Sequence, residues 1–189
     1  MADTYVDAGS LSERLELLEL RQTAEQTWEW VPIRRIWAKV EQTTKTNLFS
    51  KVGVGARNAA VVIRRQSLTL HQALRWKGQH LFLTSITNRD RMYLDVQAAL
   101  VDPVLCQANT DEEEPGAAFP GILTEKYAKW EQPEPYSINR LTYVLVASKI
   151  IQLQRGGLVE VDGVNYEVQV VHTLDPYKNE YEIVRTEDL

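Results

Sequence analysis

The residue types that could support catalysis are few and widely spaced in this sequence. The three histidines, His71, His80 and His172, fall into no HExxH or similar spacing. Cys106 is the single cysteine, so it can form no disulfide within the chain, and it has no neighbouring histidine to share a metal ion. We therefore expect no enzyme activity, no metal site and no cofactor.

A second group of candidates is basic and lies in the segment 41–58, EQTTKTNLFSKVGVGARN, which has the composition of a long loop. Its candidate residues are Lys45, Lys51, Gly53, Gly55 and Arg57. Lysine and arginine contact phosphates without reading base sequence, and glycine lets a backbone turn sharply or approach a neighbour closely. The competing interpretation is an ordinary mobile hairpin loop with three solvated cations.

The elements around this loop have a period of two, which is typical of β-strands. Apolar residues alternate with polar ones from Trp28 to Val40, and Asn58–Gln66 is rich in β-branched side chains. The stretch LSERLELLELRQ fits a short amphipathic helix or a strand equally well. We therefore predict a mainly β protein.

The strongest organising signal is a spacing that occurs twice, in Leu74–Val101 and in Leu158–Asp188. Aligning Gly78 with Gly163 superposes the apolar positions and places Asp90 on Asp175. Each copy predicts a tight turn, a strand, a polar loop and a second strand, which together form an antiparallel hairpin. Tyr143–Val146 then takes the place of Ala60–Ile63. No counterpart of the Trp28–Val40 strand is evident, so the predicted duplication is partial.

Charge and composition divide the chain into regions. Residues 31–101 carry a net charge of +9, so the rest must carry −14 to give the total of −5. Residues 102–136 hold five of the seven prolines, the acidic run Asp111–Glu114 and at most a short helix over Leu123–Trp130. We predict a flexible N-terminus (1–10), a β-barrel domain (11–101), an acidic Pro-rich linker (102–136) and an additional antiparallel β-sheet (137–189). The sequence predicts neither a signal peptide nor a membrane span.

The order of features in residues 11–101 resembles the head–tail joining proteins of tailed bacteriophages, the head-closure or stopper family. The matching segments are ERLELLELR, WEWVPIRRIWAKVE, the loop ending VGVGAR, the strand AAVVIRR, the hairpin LRWKGQHLFLTSI and the strand DRMYLDVQA. The resemblance covers about half of the chain and rests on order and spacing. The resemblance favours a strand over a helix for the stretch LSERLELLELRQ. This chain departs from the family by its extension after residue 101.

The resemblance implies a small β-barrel that assembles into a ring, usually of six, in the neck of the virion. Its partners would be other copies of itself, portal or adaptor proteins on the head side, and tail terminator or tail tube proteins on the tail side. The loop 41–58 would project toward packaged double-stranded DNA and close the channel. The protein would reside in the virion and, during assembly, in the host cytoplasm, with no membrane partner.

Two alternatives remain open at this point. The chain could be a tail-completion protein or a portal-bound adaptor of the same connector. It could also be a single-stranded nucleic-acid-binding module resembling an OB-fold, because Trp28, Trp30, Trp37 and Trp76 lie in the basic half. A place in the barrel core and its rim is the simpler interpretation of these tryptophans.

Overall fold

The computed structural model describes residues 8–43, 57–109, 116–125 and 142–188. The protein is mainly β, with 71% strand and 3% helix, which confirms the predicted fold class at that level. Within the described residues, no helix is long and apolar enough to cross a membrane. The chain divides into two compact units. The first comprises 8–20, 30–43 and 57–101, and the second comprises 21–29 and the described residues from 102 onward.

Six strands form a closed ring that organises the first unit. In chain order they are β1 (Glu13–Ala24), β2 (Thr27–Thr43), β3 (Arg57–Arg64), β4 (Gln72–Trp76), β5 (Gln79–Asn88) and β6 (Tyr93–Val101). The pairing runs β1–β4–β5–β6–β3–β2, and β2 pairs again with β1. The N-terminal stretch is therefore a strand, and Ala8–Ser10 before it forms a 3₁₀ turn.

The interior of this ring is filled by alternate side chains of every strand. The buried residues include Leu15, Leu17, Ile36, Ala38, Val61, Ile63, Leu74, Leu81, Leu83 and Val96. Alternation follows from the pleat, since successive side chains of a strand point to opposite faces. Burial of this apolar set is the main favourable term in the stability of the unit.

The second unit repeats the strand order of the first. Its strands are β7 (Val104–Asn109), β8 (Ala118–Glu125), β9 (Thr142–Ser148), β10 (Leu158–Val161), β11 (Val164–His172) and β12 (Lys178–Arg185). They pair in the order β8–β7–β10–β11–β12–β9, and β9 pairs again with β8. This is the cycle of the first unit with six added to each strand number, so that β7 corresponds to β1, β8 to β2, and so on. All six strands therefore have a counterpart.

The predicted hairpin repeat is confirmed in backbone detail. Lys77 and Gly78 have φ values of 50° and 83°, and Asp162 and Gly163 have 47° and 81°. Two successive positive φ angles define a type I′ turn, which matches the twist of the flanking strands. Glycine stands at the second position of both turns because that conformation costs it little.

The loops and bulges repeat as well. The Asp90 carboxylate accepts hydrogen bonds from the backbone N–H groups two and three residues later, at 2.6 and 2.8 Å. Asp175 does the same at 2.8 and 3.2 Å. A β-bulge lies between Leu83 and Ser85 in β5, and another lies at the aligned position in β11. Both aspartates close their own loops, as expected for this residue type.

Three sequence predictions need correction. The duplication is complete, because β7 and β8 correspond to β1 and β2. The stretch 102–136 is not merely a connector, since Cys106 and Phe119 within it belong to the buried core. Leu123 lies in a strand and not in a helix. Short length and the proline at position 120 hid these strands, because proline is unusual inside a sheet.

The register of the repeat also shifts by one residue at β9. Val61 pairs with Val96 in the first unit, and Leu145 pairs with Tyr181 in the second. The hairpin alignment places Val96 on Tyr181, so Leu145 is the counterpart of Val61. The alignment from sequence instead matches Val144, which faces outward, with Val61. A difference of one residue matters because it reverses which side chains of a strand face the core.

We expect the substitution Gly121→Ala to destabilise the second unit by about 1–3 kcal/mol, because overpacking a filled core forces its neighbours to move. A Cβ at Gly121 would lie 2.7 Å from the Cys106 Sγ and 2.7 Å from a Leu145 methyl carbon. Urea unfolding measures the loss. The double variant with Cys106→Ala should recover part of it, and a fully additive double variant would contradict the proposed crowding.

Candidate functional site: a basic groove around Trp37

Most of the predicted channel-loop residues lie outside the described residues. These are Lys45, Lys51, Gly53 and Gly55. Arg57 is described: it is exposed and opens β3, where it pairs with Leu100. Thr43 pairs with Asn58, so the segment between them leaves from one end of the β2–β3 pair. The structure thus fixes where this loop is anchored.

An open groove lies at the other end of the β2–β3 pair. Its volume is about 540 Å³, and it is lined by Gly9, Leu11, Ile36, Trp37, Arg64, Arg65 and Gln66. Ile36 and Ala38 point into the ring, so Trp37 between them points outward and is 55% exposed. Leu11 and Ile36 are buried and give the groove an apolar base. A large aromatic side chain is thereby presented to solvent beside an apolar surface.

One guanidinium group contacts the ring of this tryptophan, and two more belong to residues that line the groove. The Arg14 guanidinium carbon lies 5.4 Å from the centre of the Trp37 ring, within cation–π range. Arg64 and Arg65 are exposed where β3 ends, and the Arg65 backbone N–H donates to the Met92 carbonyl at 2.7 Å. No ion pair joins Arg14, Arg64 or Arg65 to a carboxylate in the described residues. The groove therefore carries positive charge that no carboxylate of the described part of the chain neutralises.

Several other cations of the same unit form ion pairs with carboxylates. The Glu16 carboxylate lies 2.6 Å from an Arg75 Nη2 and 3.5 Å from the Arg35 Nε. The hydrogen bond from Arg75 lowers the pKa of Glu16 below its ordinary value. Glu13 accepts a 2.9 Å hydrogen bond from the Trp76 indole, which lowers its pKa as well. In the groove, by contrast, Arg64 and Arg65 form no ion pair with a described carboxylate, so their positive charge is available to an anion.

The second unit has different side chains at the described positions equivalent to Arg14, Trp37 and Arg64. Cys106 pairs with Val161 as Leu15 pairs with Trp76, which fixes the alignment of β7 with β1. When the strand pairings of the two units are aligned in the same way, Arg14, Trp37 and Arg64 correspond to Leu105, Pro120 and Ser148. The same strand order therefore forms without the tryptophan and without the cations of Arg14 and Arg64, so the fold does not require these three side chains.

The remaining reactive side chains are dispersed. His80 is 7% exposed and its ring centre lies 5.2 Å from that of Trp30. His172 lies 3.1 Å from the Glu182 carboxylate. Burial raises the pKa of the Cys106 thiol to about 12, which disfavours the reactive thiolate. Among the described residues, no three histidine, cysteine or acidic side chains lie together in a way that could hold a metal ion.

Sequence reasoning missed the groove, although a signal was present. Trp37 stands between two inward residues, Ile36 and Ala38, so strict alternation already placed it on the outer face. The approach of Arg14 and Arg64 from neighbouring strands required the pairing of β1 and β3 on either side of β2. Cross-strand neighbours of this kind depend on register.

Comparison with known proteins adds no relative. No protein-family model, no curated protein and no solved structure matches this chain. The function has to be inferred from the chain's own residues.

The buried His80 predicts a pH-dependent stability. Burial, and then the charge of Arg75, lower the pKa of His80 from 6.5 to about 4. The folded state keeps the imidazole neutral, whereas the unfolded chain binds a proton below about pH 6.5. The contribution of the neutral His80 to the free energy of unfolding is therefore complete above that pH. On the order of 3 kcal/mol of it is lost as the pH falls to about 4. Urea unfolding between pH 7 and pH 4 measures this loss.

The variant His80→Asn supplies the comparison, because Asn165 stands at the aligned position of the second unit. We expect it to lose less stability than the parent protein over this pH range. The variant of the exposed His71, His71→Gln, should behave like the parent. A parent and a His80→Asn variant with equal pH dependence would show that His80 is not the group responsible.

Proposed function

We propose that this chain is a structural virion protein of a tailed-phage neck, which forms a ring, joins head to tail and closes or gates the DNA channel after packaging. The observation that carries the proposal is the agreement between the family's succession of features and the strands of the first unit. Each matching segment, apart from the loop, contains a strand of a closed six-stranded ring. This ring around one apolar core supports the small β-barrel of the head-closure type.

The position of the loop supports the gating role. Thr43 and Asn58 anchor residues 44–57 at one end of the β2–β3 pair. Lys45, Lys51 and Arg57 would meet DNA phosphates without sequence preference, as a channel that passes a whole genome requires. Six copies would place six such loops around one axis and narrow the channel.

The ring implies a set of partners. Copies of this chain would contact each other, most simply as a hexamer. Portal or adaptor proteins would lie on the head side, and tail terminator or tail tube proteins on the tail side. The second unit, which the typical family member lacks, would contact the tail or the outside of the neck. A tail-completion protein or portal-bound adaptor is the nearest alternative, and an image of the particle neck would separate the two.

A second candidate function comes from the groove. Trp37 with Arg14 and Arg64 is the kind of aromatic and basic surface on which single-stranded nucleic acid stacks. An OB-like binding module would use it.

This candidate makes a direct prediction. Such a module should bind a labelled 20-nucleotide strand at micromolar concentration in moderate salt, and Trp37→Ala should weaken binding about tenfold. Fluorescence anisotropy measures it. A free neck protein should show little affinity, and strong binding that Trp37→Ala leaves unchanged would exclude the groove as the site.

The gating role predicts a loop phenotype in the phage that encodes the chain. Replacing residues 45–56 by a short glycine-containing turn keeps Thr43 and Arg57 at the ends of their strands. We expect particles that assemble but lose their genome, measured as the DNA content of purified particles. A second variant, with Lys45, Lys51 and Arg57 changed to Gln, keeps the loop length and tests charge alone. Full DNA retention by the shortened variant would contradict the gating role.

A further inference from the structure

The outer face of β7, β10 and β11 in the second unit combines exposed leucine with acidic residues. Gln107 pairs with Glu160, which pairs with Asn165, and Leu158 pairs with Glu167. Leu105 is two residues from Gln107 and shares its face. Leu105 is 67% exposed and Leu158 is 40% exposed. We call the set Leu105, Leu158, Glu160 and Glu167 the acidic leucine face.

Within the described part of the chain, neither carboxylate of this face has a basic partner. No ion pair joins Glu160 or Glu167 to a basic group in the described residues. In the first unit the position of Glu160 is held by Arg75, whose charge is neutralised by Glu16. The charge at this position of the repeat is thus reversed, and the new charge has no ion-pair partner among the described residues.

The acidic leucine face and the Trp37 groove are chemically complementary. The groove offers the guanidinium groups of Arg64 and Arg65 beside an apolar base and an exposed indole. The face offers two carboxylates beside two exposed leucines. Arginine and carboxylate form strong paired hydrogen bonds, and tryptophan and arginine dominate the binding energy of many protein interfaces.

We propose that the Trp37 groove of one copy binds the acidic leucine face of a second copy of this chain. This contact rests on the proposed ring, and it identifies the two surfaces that would join its members. The two patches differ, so a contact made through them is head-to-tail and leaves one groove unused at one end and one face unused at the other. It therefore repeats, and closes into a ring if the rotation between copies allows.

The charge distribution favours another copy over nucleic acid as the occupant. Residues 31–101 carry +9 and the rest of the chain carries −14, so complementary charge exists within the chain itself. The net charge of −5 repels a polyanion at long range. The groove also lies at the end of the β2–β3 pair opposite to the proposed DNA-facing loop. An apolar base suits a leucine side chain.

The test is an exchange of charges. One variant carries Arg64→Glu and Arg65→Glu in the groove, and another carries Glu160→Arg and Glu167→Arg on the face. Sedimentation velocity at low salt should show oligomers of the parent protein, with apparent affinity reduced at least about tenfold in either variant. An equimolar mixture of the two variants should associate again, because the unchanged groove of one variant meets the unchanged face of the other, and the two reversed surfaces also have opposite charge.

The controls separate this contact from general effects of charge. Arg155→Glu reverses an exposed cation on a turn of the second unit and should leave association unchanged. Circular dichroism and urea unfolding verify that every variant is folded. The proposal fails if both charge variants associate like the parent or if their mixture stays monomeric. It also fails if the groove variant loses binding to a 20-nucleotide strand while self-association persists.

Failure of this proposed contact can be distinguished from failure of the proposed neck function. Charge-dependent association in solution, together with absence of the polypeptide from purified virions, would retain the contact and reject the neck role. Presence in the virion neck, together with association that ignores both charge reversals, would retain the neck role and reject this contact.

Discussion

Closure of six strands around one small interior is the constraint on which the rest of the structure depends. Every strand of a unit must direct alternate side chains inward, because the pleat allows no other pattern. The bulge in β5 shows how strictly this holds. Leu83 faces the core, and Ile86, three residues later, packs against the same cluster. An extra residue between them changes the phase of the strand and keeps both on the inner side.

The two units satisfy this constraint with different side chains. Ala38 and Ala59 of the first core correspond to Gly121 and Tyr143 of the second, and Leu15 corresponds to Cys106. The absence of a side chain at Gly121 leaves room for the Cys106 Sγ and a Leu145 methyl carbon, each 2.7 Å from where its Cβ would lie. Interiors pack to nearly constant density, so a gain in volume at one position requires a loss nearby. The two units therefore have the same strand order although the side chains in their cores differ.

Outward-facing residues are not subject to this packing constraint, and the residues of the proposed sites differ between the two units. Arg14, Trp37 and Arg64 stand where the second unit has Leu105, Pro120 and Ser148. These substitutions leave the strand order unchanged, because an outward side chain contributes little to the shared interior. The proposed functions accordingly rest on the outer faces and the loop, while the rings position them.

The sequence by itself determined the mainly β class and the hairpin repeat, since these depend on local periodicity and turn chemistry. Glycine at positions 78 and 163 and aspartate at 90 and 175 marked turns that close through their own backbone. Only the tertiary structure decided that β7 and β8 complete a second ring, because their strands are short and one contains proline. Only it brought Arg14 and Arg64 to either side of Trp37, since neighbours across strands are fixed by long-range register and not by spacing along the chain.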